Sequence, residues 1–212
     1  MTTAIPTVFV VDDDPGVLKA LTRLLRLAGF EACAFNSSQS FLEGHDPATP
    51  GCAVLDIAMP GLNGIEVQRA LTVSGSHRPV IFVTGRGDIP TSVRAMKAGA
   101  VDFLTKPVMD KDLLAAVRNA VEVDRVARAA EMELQSMRDR LATLTPRECE
   151  VLTHVVAGQL NKQIAADLGT VEKTIKVHRA RVMEKMGVRS LADLVRVAQR
   201  LGISTATSTL PR

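Results

Sequence analysis

Five short apolar runs punctuate the first 124 residues: TVFVV (7–11), EACAF (31–35), CAVLD (52–56), PVIFV (79–83) and VDFL (101–104). Between them lie segments with helical patterning, PGVLKALTRLLRLAG (15–29), SSQSFLEG (37–44), GIEVQRALTV (64–73) and IPTSVRAMKAG (89–99). Strand-like runs that alternate with helical segments predict a parallel sheet covered by helices on both faces. Gly29, Gly44 and Gly99 stand where helix-stopping glycines belong, and Asp14 before Pro15 reads as a helix cap.

At this length the sheet fits a small doubly wound domain of flavodoxin-like strand order, 2-1-3-4-5. It does not use the whole chain of 212 residues. From Asp110 to Leu144 there is no Gly or Pro, and Ala, Val, Leu, Met, Glu and Arg dominate, which predicts one long helix. Ala116, Ala120, Val123, Ala127, Ala130, Leu134, Met137, Leu141 and Leu144 recur with alternating steps of four and three, the spacing of an a/d seam. Such a seam either packs against its own domain and trails on as a linker, or pairs with a second copy. A third region opens at Thr145-Pro146, with Glu148 placed to complete a capping box, and predicts helices at about 146–157, 161–168, 171–186 and 190–201. The expected division is 1–123, a helical linker over 124–143, an all-α domain over 144–203, and a flexible tail over 204–212.

Several classes are excluded. No apolar run reaches the roughly 18 residues of a membrane span. The start, MTTAIPTVFVVDDD, meets three acids too early for a secretion signal, so the expected compartment is the cytoplasm. Cys33, Cys52 and Cys149 lie too far apart for a disulfide framework or a zinc pattern. There is no Trp or Tyr, and the six Phe all precede residue 104, which argues against a C-terminal half that stacks single-stranded bases. Charge is split too: residues 1–124 carry a net −3 and residues 125–212 a net +6.

The acids of the first half have a pattern. Asp12 and Asp13 follow the first strand and Asp56 ends the third, and these strands flank the switch point where ligands sit. Three converging carboxylates repel and invite a cation, and an all-oxygen set suits Mg²⁺ better than zinc. Thr84 after the fourth strand and Lys106 after the fifth add a hydroxyl and an ammonium to the same crevice. Those are the parts for handling a phosphoryl group, with Asp56 as the nucleophile.

The stretches VFVVDDDP, VLDIAMPGLNGIEV, VIFVTGRGD and GAVDFLTKPV resemble the signature stretches of the receiver domain of two-component response regulators, over about residues 6–123. The resemblance implies that Asp56 accepts phosphate from a sensor histidine kinase. It implies Mg²⁺, with Mn²⁺ as a substitute, held by Asp13 and Asp56, by the Ala58 carbonyl, and by Asp12 through water. Thr84 and Phe103 would form the switch pair, Lys106 would bridge to the phosphoryl oxygens, and Lys106–Pro107 would be a cis peptide.

In the second half, KTIKVHRARVMEKMGVR (173–189) holds Lys173, Lys176, Arg179, Arg181, Lys185 and Arg189 against the single acid Glu184, while Ile175, Val182 and Met186 keep an apolar stripe. A basic helix behind a short helix and a Gly-containing turn is the build of a helix-turn-helix. The segment LTPRECEVLTHVVAGQLNKQIAADLGTVEKTIKVHRARVMEKMGVRS resembles the LuxR-type helix-turn-helix. By that resemblance Lys176 and Val177 would face base edges, while Asn161, Lys162, Thr174, His178 and Arg179 would mainly hold phosphates; Lys173, Arg181 and Lys185 belong to the same expected DNA-binding set. The family's usual Ile-Ser entry to the recognition helix is Thr170-Val171 here, so either Thr170 takes over the cap or the cap is lost.

Together the two resemblances imply a phospho-activated transcriptional regulator of the FixJ-like subgroup, with promoter DNA, a histidine kinase and RNA polymerase as partners, a homodimer on phosphorylation, and no membrane. Two alternatives are weighed against it. A phosphatase of the haloacid-dehalogenase type would need a second acid two residues after the nucleophile, where Ala58 stands. A regulator that no longer switches by phosphorylation would not need the intact acid–Thr–Lys set.

Overall fold

The computed structural model describes residues 5–85 and 89–203, without the side chains of 89–91. The expected tail, 204–212, lies outside the described residues. The chain forms two compact units that divide between Arg128 and Ala129.

The first unit alternates strand and helix: β1 (Thr7–Val11), α1 (Pro15–Leu27), β2 (Glu31–Phe35), α2 (Ser38–Gly44), β3 (Gly51–Asp56), α3 (Gly64–Val73), β4 (Val80–Thr84), α4 (Ile89–Lys97), β5 (Asp102–Thr105) and the start of α5 (Asp110–Ala142). The sheet is parallel throughout, in the expected order β2-β1-β3-β4-β5. Every residue of β1, β3 and β4 is buried, which is why these runs are apolar without alternation. Side chains still alternate between two cores. Val8, Val10, Cys52, Val54, Ile81 and Val83 pack with Leu25, Leu113, Ala116, Val117 and Ala120, while Phe9, Val11, Ala53, Leu55 and Phe82 pack with Phe41, Val67, Leu71 and Ala95. Each fully buried Leu or Phe contributes about 1.5–3 kcal/mol.

Local signals act mostly as predicted. The Asp14 carboxylate accepts from the N–H groups of Gly16 and Val17, with Pro15 in the first turn. Gly29 and Gly99 take positive φ beyond α1 and α4. Gly44 does not: it is the last helical residue of α2, followed by an extended His45. A Cβ on Gly44 would stand 3.1 Å from the Phe35 ring, so the residue is small for packing. β4 and β5 are each shifted by one residue from the expected runs, β5 to Asp102–Thr105. Pro79 has no N–H to give a ladder, so β4 begins at Val80 and takes in Thr84, whose carbonyl accepts from Lys106.

At the opposite end of the sheet from its carboxyl edge lies a polar knot with no counterpart in the sequence reading. The buried Asp124 carboxylate accepts from the Gly51 N–H (2.8 Å) and the Arg128 Nε (2.8 Å), and the Arg128 guanidinium also donates to the carbonyls of Pro47, Ala48 and Thr49. Arg78, equally buried, donates to the Asp46 and Thr49 carbonyls and lies over the Phe9 ring at 4.2 Å.

The second unit contains the last turns of α5, then α6 (Pro146–Val156), α7 (Asn161–Asp167), α8 (Glu172–Met186) and α9 (Leu191–Arg200). Thr145 and Glu148 form the expected capping box. Val151, Leu152, Ile164, Ile175, Val182, Met186 and Leu194 fill one core, against which Leu141 and the buried Leu144 pack. The nine-residue seam is therefore divided: Ala116 and Ala120 are buried in the first unit, Leu141 and Leu144 serve the second, and Val123, Ala127 and Ala130 between them are exposed.

Candidate functional site

The carboxyl ends of β1, β3, β4 and β5 gather the predicted acidic site. Val11 of β1 pairs with Leu55 of β3, so the chain delivers Asp12 beside Asp56. Asp12 and Asp56 are buried and Asp13 is exposed, and one oxygen of each lies within 4.8 Å of the others. Lys106 arrives from the end of β5, across a cis Lys106–Pro107 peptide, and its Nζ donates to Asp12 Oδ2 at 2.6 Å and to Asp56 Oδ2 at 3.1 Å. Burial alone would lower the Lys106 pKa, but hydrogen bonds and charge from Asp12 and Asp56 outweigh it and raise it. Thr84 is buried at the end of β4, next to Asp56 in strand order. Phe103, paired with Phe82 in the sheet, is half-buried against the second core.

Two backbone donors of this site escape a reading of side chains. The Ala58 N–H points at Asp56 Oδ1 (3.3 Å), and the Asp14 N–H at Asp12 Oδ1 (3.0 Å). Three carboxylates against one ammonium leave the pocket two negative charges in excess. Like charges 4 Å apart at an effective dielectric near 20 repel by about 4 kcal/mol. An all-oxygen donor set with that surplus fits a hard divalent cation.

The basic candidates lie in the second unit, on α7 and α8. Lys162, Lys173, Lys176, Val177 and Arg181 are exposed, and Thr174, His178 and Arg179 are half-buried. Ile175, Val182 and Met186 are buried on the other side, as the apolar stripe predicted. Arg179 Nη1 donates to Asn161 Oδ1 at 2.6 Å and so ties α8 to the start of α7. Lys176 Nζ is 3.4 Å from Glu172, one turn back. The entry to α8 resolves toward a lost cap: its N-cap residue is Val171, without a side-chain hydrogen bond.

Lys185, also of the expected DNA-binding set, has partners of its own. Its Nζ donates to Glu148 Oε2 at 2.6 Å and to the Thr143 carbonyl at 3.0 Å, inside its own unit. Glu148 is buried, and the hydrogen bond from Lys185, followed by that from the Thr145 N–H, lowers its pKa to about 2. No local pattern announces this pair, whose partners stand 37 positions apart.

The comparisons with known proteins agree with this geometry. Residues 8–118 match the family model "Response regulator receiver domain", and residues 142–198 match "Bacterial regulatory proteins, luxR family". Nodulation protein W of Bradyrhizobium diazoefficiens is 48% identical over 93% of this chain and 87% of its own. Transcriptional regulatory protein FixJ of the same species is 41% identical over 92% of this chain and 96% of its own. A low-resolution structure of the response regulator StyR superposes with a TM-score of 0.84 at 46% identity, covering 93% of this chain and all of that one. With both halves matched in order and relatives aligned along nearly the whole length, the chain belongs to the two-component response regulators that join a receiver domain to a LuxR-type DNA-binding domain.

Proposed function

We propose that Asp56 is the phosphoacceptor and that its phosphorylation by a sensor histidine kinase controls binding of α8 to promoter DNA. The observation that carries the first half is the Lys106 ammonium held between Asp12 and Asp56 at the carboxyl edge of the sheet. In the transfer, an Asp56 carboxylate oxygen attacks phosphorus. The new P–O bond forms as the P–N bond to the kinase histidine breaks, and the electron pair leaves with the imidazole nitrogen. Asp13 and Asp56 with the Ala58 carbonyl, and Asp12 through water, would hold Mg²⁺, or Mn²⁺ with the same oxygen preference. The bound ion supplies the positive charge that lets a phosphoryl group approach three carboxylates. Lys106 then turns from its carboxylate partners to the phosphoryl oxygens, the Ala58 N–H offers a further donor, and Thr84 follows with its hydroxyl. Movement of Thr84 makes room for Phe103, and the face formed by α4, β5 and the start of α5 is the element that changes.

The receiver is taken as residues 1–123 and the DNA-binding domain as 144–203, with 124–143 as linker and 204–212 as tail. In the groove, Lys176 and Val177 read base edges, while Asn161, Lys162, Lys173, Thr174, His178, Arg179 and Arg181 hold phosphates. Lys185 is taken instead as the internal partner of Glu148. Phosphorylation favours a homodimer on paired half-sites, from which the protein acts on RNA polymerase. Among the described residues no helix is long and apolar enough to cross a membrane, and the cytoplasm is the proposed compartment. The relative FixJ is a transcriptional regulatory protein, and the Ala58 position carries no general acid, so turnover of phosphomonoesters is not expected.

The test is labelling with acetyl phosphate and Mg²⁺, followed by sizing and DNA titration, on wild type and Asp56→Asn. The wild type is expected to gain one phosphoryl group, a larger size and tighter DNA binding, and Asp56→Asn none of these. Labelling without any change in size or affinity would sink the switch.

A further inference from the structure

We infer that the last turns of α5, from Glu133 to Ala142, work as a splint that sets the position of the recognition helix, with Arg140 as the positioning residue. The inference rests on the reading of α8 as the DNA-contacting helix. The luxR-family match begins at residue 142, where these turns end, so it assigns nothing to Glu133 or Arg140.

Three connections join the segment to the rest of the second unit, and a fourth follows it directly. Arg140 Nη1 donates to the Met186 carbonyl, the last of α8, at 3.3 Å. Lys185 of α8 donates to the Thr143 carbonyl just beyond α5. Glu133 holds Arg200 of α9 through two hydrogen bonds, at 2.6 and 2.9 Å. Leu141 packs against the core that holds Met186 and Leu194. The chain reverses out of α8 through Gly187 at φ +67°, and a Cβ there would stand 2.7 Å from Arg140 Nη1. The guanidinium thus fills the space that a side chain at this position would need.

The two ends of α8 are held very differently. Its N-cap is Val171, with no side-chain hydrogen bond. Its C-terminus carries a guanidinium on its last carbonyl, where a cation also complements the helix dipole. Reading bases requires side chains held to within about 0.5 Å, and a helix without a side-chain cap at one end gains from being fixed at the other. Arg140 provides that fix, and Glu133–Arg200 keeps the splint seated on α9.

The experiment uses the full chain. Wild-type protein selects a preferred duplex from a randomised pool. That duplex and a scrambled one are then titrated by fluorescence anisotropy at several salt concentrations against wild type, Arg140→Ala and Arg140→Lys. Arg140→Ala should lose about 3–10-fold in affinity for the selected duplex, with little change on the scrambled one and an unchanged salt slope. Arg140→Lys, which can still donate to the carbonyl, should recover most of the loss. Equal losses on both duplexes, with a salt slope smaller by about one, would make Arg140 a phosphate contact and overturn the inference. Wild-type binding by Arg140→Ala would overturn it as well. Should Arg140→Ala fail to fold, Glu133→Arg, Arg200→Glu and the double swap decide: recovery of selective binding in the double supports the splint, and no recovery refutes it. A wild type that enriches no duplex removes the DNA-binding reading itself, whereas a selective wild type with indifferent variants removes only the splint.

Discussion

Gly64 offers the sharpest link between packing and the phosphoacceptor. It begins α3 without a positive φ, so no backbone conformation requires glycine there. What requires it is space: a Cβ would stand 2.4 Å from the Asp56 carbonyl oxygen and 3.1 Å from the Phe82 ring, against 3.4–4 Å for ordinary contact. Gly64→Ala must therefore move either α3 or the backbone of Asp56 by about 1 Å, since both neighbours are backbone or buried ring. Overpacking of this kind costs about 1–3 kcal/mol, or roughly 3–10 °C in the melting temperature of the first unit. A misplacement of about 1 Å at a reacting carboxylate also costs on the order of 10²-fold in rate. The assay is the rate of acetyl phosphate labelling with Mg²⁺, read beside thermal melting by circular dichroism. Gly61, three residues earlier, is the control. Its φ is +79° and nothing lies within 4 Å of a Cβ there, so Gly61→Ala pays only the left-handed backbone penalty of about 1–2 kcal/mol. It should destabilise while leaving the labelling rate near wild type. Equal labelling rates for the two variants would refute the argument that Gly64 protects the position of Asp56.

Other predictions follow from single contacts. The lowered pKa of Glu148 means its carboxylate stabilises the second unit fully above pH 4.5, and that this is lost as pH falls toward about 2. The difference in melting temperature between wild type and Glu148→Gln should therefore shrink as pH is lowered through that window; a constant difference would contradict it. Burial pushes the Cys52 thiol up to about 12, whereas Cys33 is exposed. A thiol reagent should modify Cys33 promptly and Cys52 only on unfolding, by mass spectrometry of the native and denatured protein. Asp124→Ala leaves the Gly51 N–H and the Arg128 guanidinium without their partner and should cost about 1–3 kcal/mol in urea denaturation. On duplex DNA, Arg181→Ala should flatten the salt slope by about 0.9, while Lys176→Ala should chiefly relax base preference. Indistinguishable curves for these two variants would show that the proposed docking is wrong.

The parts legible in the sequence are those that period and position determine. Five apolar runs separated by helices specify a parallel sheet, and the sheet order alone brings Asp12, Asp56, Thr84 and Lys106 to one edge, because each stands at or just past a strand end. What a strand end cannot say is which partner a side chain takes. Lys106 sits nearer to Asp12 than to Asp56, and two backbone N–H groups share the site with the side chains. A glycine near a helix end looks the same in sequence whether it is there for a turn or for a neighbouring ring, and Gly44 is there for the Phe35 ring. The knot around Asp124 was invisible because its partners, Gly51 and the carbonyls of 47–49, lie more than 70 residues away along the chain.

Charge makes the same distinction between a residue's type and its allegiance. A net +6 over residues 125–212 points to a polyanion, yet much of that positive charge is internal. Arg128, Arg140, Lys185 and Arg200 each bind a carboxylate or carbonyl of their own unit. Among the described residues, no ion pair holds Lys162, Lys173, Arg181 or Arg189. Three of these lie on or just beyond α8 and the fourth lies on α7, so the unpaired charge is concentrated where the helix-turn-helix presents its outer face. Unpaired cations can displace the counterions condensed on DNA phosphates without first breaking an ion pair, so this smaller set, rather than the formal total, contributes most directly to attraction to DNA. The paired cations act earlier in the causal chain: they hold the helices in the arrangement that lets the unpaired ones meet a backbone together.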